Sequence, residues 1–487
     1  MRISYLAYTF SLAMMYFSFM LLIPIIVALI YNETNAILPF IIASFSAFLI
    51  SITLKKIIPS ISQIKTINDI KKSEGLCAVT FCWIFAGLFA SIPYLFFGLN
   101  PINAFFEGTS GITATGATIF THFDYPKALF FWRSFTQWLG GMGIIVLFIA
   151  ILPQFAIAGR QLFFAEAPGP TEDKFTPRIK NTAASLWKIY FGMTLLEIIL
   201  LKCNGMDFFN SICHSFSSVS GGGFSPNSES LIDSTNPILW IICFFMFFAG
   251  ASYNLQYRAW AKFNPLILFK NEEFKTYFII TTSLAILLGF SLFIHSHYDI
   301  LESITHSFFQ ISSVISSSGF CSVDFANWDY TSKAILLIAM LAGSCASSAG
   351  GGIKIVRWLL VLKIMKAELG KILHPKAVYN IKVGKYSVPK DVLYQTLMFV
   401  SFYLAILVLS AFIIAILEKN TIIGISSAVS ALGNIGPGLG KVIGPLGHYD
   451  SLNEISKSII ILDMYIGRLE LIPFLVLFQK ELWTIRK

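Results

Sequence analysis

One pattern recurs four times along this chain, and it leaves few folds open. A long apolar run leads to a short amphipathic piece. A stretch rich in Gly, Ser or Thr follows, and then a second long apolar run. The polar stretches lie at 110–118, 218–225, 315–320 and 433–438. Each is too short and too polar for a helix of its own. Between apolar runs they sit at membrane depth, where non-helical backbone is tolerated only if it is buried in protein or lines a water-filled cavity. The order helix, half-helix, loop, helix is that of a re-entrant pore unit. Aligning the loops pairs Gly116, Gly222, Gly319 and Gly436, a period of roughly 100 residues that points to a quasi-symmetric array. Each unit crosses the membrane twice and so keeps the same orientation.

Composition supports a membrane reading. Of 487 residues, 56% are hydrophobic and 13% are charged, against about 25% charged in soluble domains. The expected class is an all-α integral membrane protein with ten spans. They are runs 5–31 and 36–54, then paired runs 76–98 and 129–153, 184–202 and 237–255, 277–294 and 334–365, and 392–417 and 455–478. The division is 1–74 for two N-terminal helices and a basic loop, then pore units at 75–183, 184–275, 276–391 and 392–487. The net charge of +9 gathers in linkers at 55–74, 160–180, 258–275, 363–390 and 480–487. By the positive-inside rule these face the cytoplasm, with both termini. The charges form no contiguous basic face with interleaved aromatics, so nucleic acid is not an expected partner. The seven cysteines contain no Cys-x-x-Cys and suggest neither a disulfide framework nor a zinc site. Outer segments carry Glu33, Asp124, Glu229, Asp233, Asp324, Asp329, Asp450 and Glu454, acids that raise the cation concentration at an outer mouth.

Three features could carry function. Four re-entrant loops around one axis can replace a cation's water shell with carbonyl oxygens, and a ring without carboxylates favours a monovalent ion over calcium. The last run of the third unit is interrupted by Ala342-Gly343-Ser344-Cys345-Ala346-Ser347-Ser348-Ala349-Gly350-Gly351-Gly352. That stretch suits close helix packing through small residues, or a flexible segment crossing the pore as a gate; Lys354 and Arg357 after it mark a cytoplasmic end. Arg468 lies inside the last run, where charge is costly. It is a partner for Asp463 or Glu470, a snorkelling residue, or a barrier to cations below the loops. Enzyme and nucleotide motifs are absent: there is no His-Glu-x-x-His, no Gly-x-Ser-x-Gly and no complete P-loop. No catalytic residue and no bound cofactor are therefore expected. A secondary transporter of a small solute is the alternative, and it would draw on Asp463, Glu470, Glu197 or Glu107 as intramembrane carboxylates.

The motifs Thr113-Ala114-Thr115-Gly116-Ala117-Thr118, Gln137-Trp138-Leu139-Gly140-Gly141-Met142-Gly143 and Ala165-Glu166-Ala167-Pro168-Gly169-Pro170 with Thr176-Pro177-Arg178 resemble the TrkH family of potassium-uptake subunits, in the Trk/Ktr/HKT superfamily. So do residues 219–225, 349–354 and 436–440. The two extra N-terminal spans favour this branch over the KtrB one. The resemblance implies a potassium-selective homodimer in the bacterial inner membrane, one pore per protomer, under control of a cytoplasmic ring of TrkA-like nucleotide-binding subunits. Carried over residue by residue, the potassium filter falls on Thr115–Gly116, Gly221–Gly222, Ser318–Gly319 and Ile435–Gly436, the gating loop on 343–352, and the barrier on Arg468. In plant relatives a serine at the first filter glycine goes with sodium transport; Gly116 therefore favours potassium. The chain departs from the family at Gly221, where a bulky apolar residue is common. Three successive glycines, Gly221 to Gly223, make a softer second loop the expectation.

Overall fold

The computed structural model describes residues 3–57, 72–155, 175–296, 298–384 and 386–479. The expected basic linkers at 55–74, 160–180 and 480–487 and the motif at 165–170 lie wholly or largely outside them. The described chain is helical but for a small hairpin that pairs Lys382–Val383 with Tyr386–Ser387.

Helices α1 (Ile3–Met20), α2 (Ile23–Ile30) and α3 (Thr34–Ile57) form the N-terminal pair of spans. The first breaks ahead of Pro24, whose ring nitrogen has no proton to donate to the preceding turn. Ser51 and Ser11 donate to each other's carbonyl oxygens at 2.7 and 3.0 Å, knitting α3 to α1 through small polar side chains. The first unit is α4 (Lys72–Phe96), α5 (Pro101–Ile112) and α6 (Lys127–Phe155). The second is α7 (Phe175–Cys203), α8 (Phe208–Ser220), α9 (Asn236–Ala249) and α10 (Tyr253–Ala261), with α11 (Leu266–Lys270) as a link. The third is α12 (Glu272–His295), α13 (Ile300–Ile315), α14 (Tyr330–Ala342) and α15 (Ile355–Leu373). The fourth is α16 (Lys390–Glu418), α17 (Thr421–Gly433), α18 (Glu454–Arg468) and α19 (Ile472–Val476).

Among the described residues six segments are long and apolar enough to cross a membrane, and the α9–α10 pair, bent by 104°, would make a seventh. The protein is a multi-pass membrane protein. The rest of the expected ten are α6 and the interrupted pairs α14–α15 and α18–α19. Polarity is inverted relative to a soluble domain. Phe45, Leu196, Phe290 and Phe412 are exposed on the outer helices, while Ser217, Ser313, Ser427 and Ser430 are buried.

Two further expected runs are not continuous. The run 237–255 breaks at Gly250–Ser252, and 455–478 breaks where Glu470 and Leu471 take φ of 57° and 59°. The first break has a partner. Cys345 N–H donates to the Gly250 carbonyl at 2.9 Å, Ala349 N–H to the Ala249 carbonyl at 3.2 Å, and Tyr253 N–H to the Ser347 carbonyl at 3.1 Å. The interrupted helices of the second and third units thus satisfy each other's freed backbone groups, as buried polar groups require.

Candidate functional site

The half-helices α5, α8, α13 and α17 are built alike. Each starts at an Asx residue: the side chains of Asn100, Asp207 and Asn420 accept backbone N–H groups of the first turn, and Asp299 forms a capping box with Glu302. Each ends in the same turn. Ala114, Gly221, Ser317 and Asn434 take φ of 51°, 68°, 60° and 51°. The next residue donates its N–H to a serine carbonyl five positions back: Thr115 to Ser110 and Ile435 to Ser430 at 2.9 Å, Gly222 to Ser217 and Ser318 to Ser313 at 2.8 Å. A glycine at positive φ follows each time: Gly116, Gly223, Gly319 and Gly436.

This corrects the register in the second loop. The residues equivalent to Thr115–Gly116 are Gly222–Gly223, and Gly221 instead occupies the left-handed turn that Ala114, Ser317 and Asn434 hold elsewhere. The sequence carried the signal: a serine stands six positions before each ring glycine, at 110, 217, 313 and 430.

The four turns meet in a closed ring. A Cβ on Gly116 would overlap the Gly222 carbonyl oxygen, one on Gly223 that of Ser318, and one on Gly319 that of Ile435. One on Gly436 would stand 2.8 Å from that of Thr115. Each unit therefore abuts the next in sequence, and the fourth abuts the first. All four glycines line a single cavity, together with outer-loop residues such as Asn227 and Pro445. Among the described residues the carbonyl oxygens of Thr115, Ser318 and Ile435 accept no hydrogen bond. Helix C-termini carry partial negative charge, and four of them converge here.

Side chains brace the ring from behind. Asn434 donates to Thr115 Oγ1 and to the Met464 carbonyl, both at 3.0 Å. Tyr449 donates to the Gly436 carbonyl at 2.8 Å. Glu107 on α5 pairs with Arg133 on α6 at 2.8 Å, both fully or almost fully buried. Glu107 also accepts Ile119 N–H at 2.9 Å, and Arg133 reaches the Ser225 carbonyl at 3.2 Å, so the pair joins the first loop to the second. The sequence reading missed Arg133, Asn434 and Tyr449; only Arg133, a charge inside an apolar run opposite Glu107, left a signal.

The stretch 343–352 packs against the inner side of these turns. Gly351 N–H donates to Ser317 Oγ at 2.8 Å, and a Cβ on Gly350 would stand 2.7 Å from the Ser316 carbonyl. Lys354 is buried, not solvated at a helix end: its Nζ donates to Ser344 Oγ at 3.2 Å and to the Gly350 carbonyl. Arg468, 2% exposed, donates to the Ala349 carbonyl at 2.7 Å and to the Gly140 carbonyl at 3.1 Å. It does not snorkel, and among the described residues it pairs with neither Asp463 nor Glu470. Glu470 is taken by Arg357 at 2.5 Å, and Asp463 accepts from Ser410 at 2.9 Å. Glu197 accepts the Ser218 hydroxyl.

Residues 46–484 match the family described as TrkH, cation transport protein. The Trk system potassium uptake protein TrkH of Escherichia coli K12 is 34% identical over 97% of this chain and 98% of its own. The protein of that name from Vibrio parahaemolyticus is 36% identical over 85% of this chain and 87% of its own. The crystal structure of the potassium transporter TrkH from Vibrio parahaemolyticus superposes with a TM-score of 0.89 at 30% identity, covering 99% of this chain and 100% of that one. On the family match, the near-full-length relatives and the shared fold, this chain belongs to the TrkH family of cation transport proteins.

Proposed function

We propose that this chain takes up potassium across a bacterial inner membrane through a filter made of Thr115–Gly116, Gly222–Gly223, Ser318–Gly319 and Ile435–Gly436. The observation that carries this reading is the ring closed in unit order, with three carbonyls that have no protein donor among the described residues. A potassium ion entering it exchanges hydration water for backbone oxygens. The four helix C-termini favour a cation there, and the turns offer no carboxylate that would select a divalent ion. The stretch 343–352 is the gate, held shut beneath the turns by Arg468 and by the Lys354 bond to its own loop. The names of the relatives speak of a Trk system; the family resemblance adds a homodimer whose gate is under control of a TrkA-like nucleotide-binding ring, and the positive-inside rule puts both termini in the cytoplasm. The four candidate carboxylates each have a separate partner, which weighs against a solute-binding site built from them.

Rescue of a potassium-uptake-deficient bacterium at low external potassium tests the activity; no rescue refutes it. Gly116→Ser tests the filter. The side chain would run into the Gly222 carbonyl, so the rubidium-to-sodium flux ratio in proteoliposomes should fall. An unchanged ratio removes the filter assignment.

A further inference from the structure

The second loop differs from the other three in what holds it. Gln137, on α6, is fully buried. Its Nε2 donates to the Gly222 carbonyl at 2.7 Å, and its Oε1 accepts Phe224 N–H at 3.0 Å. The amide grips the backbone on both sides of Gly223, as a neighbouring strand would. The fit depends on glycine, because a Cβ on Gly222 would lie 2.6 Å from Gln137 Oε1. The run Gly221–Gly223 has no side chains with which to brace itself. The glutamine supplies that brace.

We propose that Gln137 is a positioning residue that sets ion selectivity by pinning the Gly222 carbonyl. The proposal rests on the reading of the four turns as the filter. Of the carbonyls of Thr115, Gly222, Ser318 and Ile435, only that of Gly222 has a protein donor among the described residues, while in the fourth turn Tyr449 holds the next carbonyl, that of Gly436. A carbonyl oxygen has two lone pairs; the amide takes one and fixes where the oxygen lies. A ring with one fixed quadrant cannot contract freely around a smaller ion. Sodium then loses more coordination than potassium does, whether selectivity is viewed as cavity size or as ligand field.

The test is the rubidium-to-sodium flux ratio in proteoliposomes. Gln137→Glu keeps the size and the acceptor for Phe224 N–H; as a carboxylate it has no donor for Gly222, and the ratio is read across pH because a protonated carboxyl would restore one. Gln137→Leu loses both. One hydrogen bond is worth enough for the ratio to fall about twofold to tenfold, most in Gln137→Leu. A merely structural role would lower both fluxes together and leave the ratio alone. Gly116→Ser runs in parallel. If it shifts the ratio while folded Gln137→Glu does not, the glutamine proposal is overturned and the filter stands. If none of the three variants shifts the ratio, the filter reading falls and takes this one with it. Should Gln137→Leu not fold, the isosteric Gln137→Glu decides.

Discussion

Arg468 is a guanidinium with almost no water and, among the described residues, no acid paired with it. Its two bonds run to carbonyls of the third unit's interrupted helix and of the first unit's α6. Hydrogen bonds from a charged donor contribute about 1.5–3 kcal/mol each, and about 1.4 kcal/mol shifts an equilibrium tenfold. If both bonds hold only in the closed state, losing them moves a closed-to-open balance by about a hundredfold or more. Arg468→Ala should raise resting rubidium flux in proteoliposomes without the regulatory partner. Arg468→Lys keeps the charge but cannot span both carbonyls, and should leak at an intermediate level. A silent Arg468→Ala would remove its role in closure. The residue itself was legible, since a charge inside an apolar run stands out. Its partners were not, because they are backbone atoms at Ala349 and Gly140, distant in sequence and invisible to a search for complementary charge. Gln137 was quoted in a motif but given no role, as a neutral amide among apolar residues carries no charge signal.

At the scale of elements, the half-helices were legible because amphipathic pieces and Asx caps are local features. The interruption of α9–α10 was not. Residues 345–349, about a hundred positions on, satisfy much of its freed backbone, and the local signal is slight: Gly250, and the Gln256 amide that donates to the Phe248 and Ala251 carbonyls. The same packing fits the stretch 343–352 closely to the turns, as the proposed gate requires. Gly351→Ala would drive a Cβ into the Gly433 carbonyl at the end of α17. Backbone on both sides cannot swing aside as a side chain can, so the stretch should shift and resting flux should rise. Gly440→Ala is the control, as its Cβ would meet only Ile422 Cγ2 at 3.6 Å, an ordinary contact. Equal leak in the two variants would mean that close packing under the turns does not hold the gate shut.

For the molecule as a whole, the fourfold recurrence was the most legible property and the register of the second loop the least. Three glycines in a row offer three alignments, and what separates them is contact with other units. Gly223 meets the third unit at Ser318, whereas Gly222 meets Gln137 of the first. Alanine at each glycine therefore gives a ranked expectation. At Gly116, Gly223 and Gly319 a Cβ overlaps a carbonyl oxygen and the φ of 72–84° is strained for any L-residue, so uptake and selectivity should both collapse. Gly436→Ala is as strained at φ 105°, and its Cβ would stand 2.8 Å from Thr115 O, a milder clash than the other three, so it should keep the most potassium flux of the four. Gly222→Ala has no positive φ to violate and displaces a side-chain amide, so it should fold and conduct with a lowered rubidium-to-sodium ratio, much as Gln137→Glu does. The comparison of Gly222→Ala with Gly223→Ala decides the register. If alanine at 222 abolishes transport while alanine at 223 is tolerated, the ring runs through Gly221–Gly222 after all. If 223 is the intolerant position, a quasi-fourfold ring whose second quadrant is held by a neighbouring unit's glutamine accounts for the asymmetry.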